Sequence, residues 1–182
     1  GPGLANAVNG IADASQEHVP LIILAGVVDR AVRGRYTHQI IDQRAMMRGL
    51  VKGCFEVEAE GAGAVTARAL ELALAHPKGP VLIELAPGTA LQAADVSPKS
   101  GVPPRRVKAE VPAREIIAAV QADLVRAKRP LLIAGFDAAR DEAADAFRQL
   151  ATTFNIPVIT TYKAKGIFPE QHSLALGAAG LS

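Results

Sequence analysis

The sequence has no tryptophan, two tyrosines and a single cysteine. A lone Cys54 excludes an internal disulfide and leaves no cysteine cluster for zinc. A reducing, cytoplasmic setting is the expectation for such a chain. Charge of one sign is also lacking: 20 Lys and Arg face 18 Asp and Glu, for a formal net charge of +2. A nucleic-acid footprint needs clustered basic excess on one face, so none is expected. Long hydrophobic runs are missing too. The longest, Val19 to Val28, is about half of what a membrane span requires. Nothing at the N-terminus reads as a signal peptide.

What is present is a chain of 182 residues, 49% hydrophobic and rich in Ala, Val, Leu and Ile. That length and composition suit a well-buried core in one or two domains. Gly1-Pro2-Gly3 reads as a tight turn leading into a short helix, because glycines around a proline permit close backbone approach. The apolar run Leu21 to Ala25 then reads as a buried strand ending on Gly26. Such a turn should follow a strand, so the chain reads as a segment of something longer. Arg30, Arg33 and Arg35 lie in a polar loop, and Ile40 to Met47 carries apolar residues at helical spacing. Phe55 to Val57 is a short strand, Gly61 to His76 an alanine-rich helix, and Pro80 to Leu85 the next strand. Strand, helix, strand at these lengths implies parallel pairing through right-handed crossovers.

Ala86 to Pro112 holds five prolines, which lack an amide donor and resist both helix interiors and central strands. The stretch 91–112 is expected to be a linker. Beyond it the pattern restarts. Ala113 to Ala127 is a helix with Ile116, Ile117, Val120 and Leu124 on one face. Leu131 to Ala134 is a strand, Ala138 to Phe154 a helix, and Ile156 to Thr161 a second strand. Tyr162 to Ser182 reads as a loop. The fold class expected is α/β: parallel sheets flanked by helices, in two partial Rossmann-like domains joined by a Pro-rich linker.

The order of these residues resembles a known family. Gly1-Pro2-Gly3 with Asn6, Gly10-Ile11-Ala12, Val19-Pro20 and Gly26 are similar to thiamine-diphosphate-dependent enzymes of the acetolactate synthase and benzaldehyde lyase group. The likeness continues through His38-Gln39, Asp42-Gln43, Lys52, Lys78-Gly79-Pro80, Lys128-Arg129-Pro130 and Lys165-Gly166. It implies that residues 1–90 are the C-terminal part of a pyrimidine-binding domain and residues 113–182 the N-terminal part of a central domain. It further implies a carboligase or decarboxylase, a transferase or lyase, acting on a 2-oxo acid or aldehyde in a homo-oligomer. The same resemblance implies a dimer or tetramer with the site at the subunit interface. The cofactors implied are thiamine diphosphate and Mg2+, with the metal anchor outside this segment. The resemblance also raises FAD, but Phe136 and Asp137 interrupt the glycine-rich turn that would hold it.

By the same resemblance Gly1, Pro2, Gly3 and Asn6 are expected near the cofactor, although Asn6 equally suits a helix cap. His38, Gln39 and Lys52 are the expected catalytic group. A histidine titrating near neutrality can move protons, yet His38 equally suits a surface loop and Lys52 an ordinary solvated position. Gly53 and Gly88 depart from the acetolactate synthase pattern, which places a histidine and a lysine there. The family's cofactor-activating glutamate lies upstream of Gly-Pro-Gly and its Gly-Asp-Gly anchor in a third domain, so this segment alone is expected to be inactive. Two other readings stand beside this one: a non-catalytic nucleotide-binding module, and a lyase or decarboxylase of acyl-CoA substrates in the same family.

Overall fold

The computed structural model describes residues 1–36, 38, 40–94, 111–139 and 142–179. Most of the expected linker, with Pro98, Pro103 and Pro104, lies outside the described residues, as does Gln39. The chain divides into two compact units, Gly1–Ala109 and Glu110–Ser182.

The first unit is built on a three-stranded parallel sheet of β1 (Ile22–Gly26), β2 (Cys54–Val57) and β3 (Val81–Leu85) in the order β1-β3-β2. β3 is central and almost wholly buried, which explains why it is apolar apart from Glu84. Because side chains alternate across a strand, one face presents Leu82, Ile23 and Cys54. It packs on Leu4, Ile11 and Met47, from helices α1 (Pro2–Asn6), α2 (Val8–Gln16) and α3 (Gln43–Met47). The other face presents Val81, Ile83 and Phe55 to Ala69 and Ala73 of α4 (Ala62–Leu74). The small alanines of α4 let helix and sheet approach closely.

Asp42 is the N-cap of α3, its carboxylate accepting the Ala45 N–H at 2.9 Å. One orphan donor of the helix start is thereby satisfied. After β3 the chain forms a short helix, α5 (Pro87–Ala90), inside the stretch expected to avoid helix. Pro87 sits at the first helical position, where the missing N–H costs nothing and the fixed φ is favourable.

The second unit contains α6 (Arg114–Arg126), β4 (Leu132–Ala134), a 3₁₀ turn at Phe136–Ala139, α7 (Glu142–Thr153), β5 (Val158–Thr161) and β6 (Ala175–Ala179). Its sheet is parallel in the order β4-β5-β6, over a core of Ala134, Ala151, Val158, Ala164, Ile167 and Phe168. β6 corrects the reading of Tyr162 to Ser182 as loop. Its register against β5 shifts between Val158 and Thr160, and Gly177 takes φ +94°. A bulge of this kind erases the alternation by which a strand is read. The apolar stripe of α6 forms as a helix face but is not buried: Ile116, Ile117 and Val120 are all exposed.

Candidate functional site

At the carboxyl ends of β1, β2 and β3 the first unit encloses an open cavity of about 570 Å³. Crevices outside the carboxyl ends of parallel strands are where open α/β sheets bind ligands. Gly1 and Pro2 form one side, and Val27 and Val28 follow β1. Ile40 to Arg44 bring in the start of α3, and Glu56 and Glu84 rise from the sheet floor.

The floor is an ion network set by strand register. Glu56 and Glu84 are direct partners on neighbouring parallel strands, and the pleat places both on the same face. Two adjacent carboxylates repel unless a cation lies between them. Arg44 supplies it: Nε donates to Glu84 at 2.6 Å and a terminal nitrogen donates to Glu56 at 3.2 Å. Arg30 adds a bond to Glu56 at 2.8 Å. The hydrogen bond to Glu84 holds the Arg44 guanidinium above its ordinary value, against the opposing effect of burial. Burial pushes the neighbouring Cys54 thiol up, partly countered by Arg44. The carboxylates therefore anchor two of the three arginines at the cavity.

Gln43 opens α3 and is buried, at 4% exposure. Its Nε2 donates to the Gly26 carbonyl at 3.0 Å. Its Oε1 is buried with no partner among the described residues. Turning the amide over would set oxygen against the Gly26 carbonyl, so the neighbour decides which atom is which.

The expected site residues do not converge. Gly1 and Pro2 border the cavity, with the Gly1 carbonyl accepting from Leu4 and Ala5 as α1 begins. Gly3 and Asn6 lie on the exposed side of α1, where Asn6 is its last residue and no side chain caps the helix. His38 is exposed and is not among the residues that line the cavity. Lys52 is placed elsewhere, with Nζ donating to the carbonyls of Leu72 at 2.5 Å and Ala75 at 2.6 Å. It closes the C-terminal end of α4, and burial lowers its ammonium below the ordinary lysine value.

Gln43, Arg44 and Glu84 are not among the site residues expected from the sequence. The available signals were a glutamate inside an otherwise apolar strand and a polar pair directly after a helix cap.

A parallel α/β unit with a ligand-sized crevice at its strand ends belongs to the class of open-sheet proteins that bind small molecules there. Comparison with known families gives the particular one. Residues 1–46 match the family model "Thiamine pyrophosphate enzyme, N-terminal TPP binding domain". Residues 117–182 match "Thiamine pyrophosphate enzyme, central domain". The chain is 32% identical over 185 residues to the acetolactate synthase large subunit of Parasynechococcus marenigrum. It is 33% identical over 186 residues to that of Corynebacterium glutamicum, and 32% over 185 residues to the acetolactate synthase of Mycobacterium leprae. All three alignments cover 100% of this chain, which spans 30%, 29% and 29% of those relatives. The chain belongs to the thiamine pyrophosphate enzymes, within the acetolactate synthase group.

The cavity's chemistry fits one end of thiamine diphosphate. Val27, Val28, Ile40 and Ile41 beside the Gly1-Pro2 backbone give the cavity an apolar side that suits an uncharged ring, opposite the charged side chains of Arg30, Arg33, Arg44, Glu56 and Glu84 that also line it. Among the described residues no group of three His, Cys, Asp or Glu could hold a metal ion.

Proposed function

We propose that this chain forms part of the active-site wall of a thiamine-diphosphate-dependent carboligase or decarboxylase acting on 2-oxo acids, similar to acetolactate synthase. The observation that carries the reading is the cavity at the carboxyl ends of β1, β2 and β3, bordered by the Gly1-Pro2 turn. In this reading Gly1, Pro2, Val27 and Val28 border the ring end of the cofactor. When bound, that cofactor supplies a nucleophilic carbon for a carbonyl group and a sink for the resulting electron pair.

The chain's own residues supply shape and electrostatics. The apolar side chains of Ile40 and Ile41 limit water around a reacting carbonyl. The network of Arg30 and Arg44 with Glu56 and Glu84 holds the floor in place and is locally neutral, so a 2-oxo acid carboxylate is drawn toward the rim, where Arg33 stands. His38, two residues before Ile40 in sequence, is the candidate to move protons, with Gln39 beside it in sequence. Lys52 acts on this site only through α4 and the sheet edge. Mg2+ and the diphosphate are held by residues other than those described here. FAD is left out of this reading, since Phe136 and Asp137 stand where a glycine-rich turn after β4 would be needed.

The enzyme is proposed to be cytoplasmic and to self-associate as a dimer or tetramer; no helix of the described residues is long and apolar enough to cross a membrane. The test is carbon dioxide release from pyruvate and other 2-oxo acids by the intact protein, with and without thiamine diphosphate and Mg2+. Release that depends on the cofactor is expected. Turnover that is absent on every 2-oxo acid tried, or indifferent to the cofactor, overturns the reading.

A further inference from the structure

The cavity wall carries one polar atom with nothing to do. Gln43 Oε1 is buried and unpartnered among the described residues, in a residue that is 4% exposed and lines the cavity. Its other half is engaged, since Nε2 is held by the Gly26 carbonyl at the end of β1. The carboxamide is therefore fixed in orientation, with the acceptor as the free end. A buried acceptor left unmade is costly, whereas one that meets a donor on a ligand is not.

We propose that Gln43 determines specificity by accepting a hydrogen bond from a hydroxyl on the molecule bound in this cavity, favouring α-hydroxy ketones over the corresponding dicarbonyls. A simple ketone or aldehyde offers only acceptors and leaves Oε1 unpaired. A carboxylate is likewise an acceptor, and would meet repulsion at Oε1 rather than a bond. A hydroxyl satisfies it. The choice of an α-hydroxy ketone rests on the carboligase reading, because joining two carbonyl carbons leaves a hydroxyl on one of them. That Oε1 selects for a donor does not depend on the reaction. Val27, Val28, Ile40 and Ile41 border the same space, as do Arg33, Asp42 and the Arg44–Glu84–Glu56 network. Those charged groups already hold hydrogen bonds of their own, whereas Oε1 is buried without a partner among the described residues, and a buried polar group left unpaired discriminates against analogues that lack its partner.

The experiment compares 3-hydroxybutan-2-one with butane-2,3-dione, which share a carbon skeleton and differ in the hydroxyl. Dissociation constants are measured by calorimetry or ligand-observed NMR on the intact protein. The unsubstituted protein is expected to bind the hydroxy ketone about tenfold more tightly. Gln43→Met should bring the ratio close to one. Gln43→Lys keeps a donor for the Gly26 carbonyl and removes the acceptor, so it should favour the dione. It serves where Gln43→Met fails to fold. Equal affinities in the unsubstituted protein, or a preference that survives both substitutions, overturn the proposal. A protein that shows the preference but no cofactor-dependent turnover of 2-oxo acids would retain the role of Gln43 and lose the carboligase reading.

Discussion

The carboxylate of Asp29 accepts the backbone N–H of Gly88 through both oxygens, at 3.1 and 3.3 Å, and a Cβ on Gly88 would lie 2.8 Å from Oδ1. Asp29 follows β1 and Gly88 is the second residue of α5, so the contact ties together the two loops that leave adjacent strands. The anion also sits at the start of α5, where free backbone N–H groups favour negative charge. Here any side chain would displace the carboxylate.

Gly88→Ala is therefore expected to destabilise the protein by about 1–3 kcal/mol, the usual range for a forced fit in a packed place. In denaturant unfolding the double variant Asp29→Ala, Gly88→Ala should be less destabilised than the sum of the two single changes, because the clash disappears with its partner. Strict additivity would show that the two residues do not compete for one space.

Arg44→Met removes the cation between Glu56 and Glu84. Stripping one partner from a buried pair costs about 3–5 kcal/mol. The Arg44 side chain is 44% exposed, so water compensates in part and about 2 kcal/mol is expected here. Glu84→Gln should cost less, since a neutral amide oxygen still accepts from Arg44 Nε. Thermal or denaturant unfolding of the two variants decides the order. A larger loss for Glu84→Gln would mean that Glu84 does more than anchor Arg44.

Lys52 closes the end of α4 through two carbonyls, and its loss is expected to register in stability before chemistry. Lys52→Met should lower stability by about 1 kcal/mol, the net value of such contacts at a helix C-terminus, with kcat and KM for the 2-oxo acid unchanged. A fall in kcat with stability intact would return Lys52 to the catalytic group.

Cys54 is half-buried beside Arg44 and Glu84, and burial raises its folded-state pKa. The folded chain thus binds the thiol proton more tightly than the unfolded chain does. The stability that this adds is fully present below the unfolded value and is lost as pH rises through the folded one. The stability difference between the unsubstituted protein and Cys54→Ala should shrink across the alkaline range above about pH 8.5, the ordinary thiol value. Alkylation by iodoacetamide should reach its midpoint above that pH. A midpoint below it would place the cation of Arg44 ahead of burial.

Much of this fold could be read from the chain because local patterns and tertiary needs agree. β3 reads as an apolar run because it is central, and α3 begins at Asp42 because a carboxylate there caps the helix. β6 was lost because a bulge at Gly177 breaks its alternation. The α6 stripe misled in another way: periodicity fixes the side of a helix that is apolar, and nothing local says whether that side is covered. The cavity wall was legible only in part. Gly1 and Pro2 border the cavity, but Lys52 points into a helix end, since a long flexible amine goes to whatever carbonyls the fold brings near.

By itself, then, the sequence determined the α/β class, the parallel pairing of its strands and the family, because periodicity and motif order are properties of neighbours along the chain. Only the tertiary structure decided which polar groups meet. The order β1-β3-β2 sets Glu56 opposite Glu84, draws Arg44 between them, and leaves the oxygen of Gln43 without a partner. Those relations join residues tens of positions apart, and strand order and register create them.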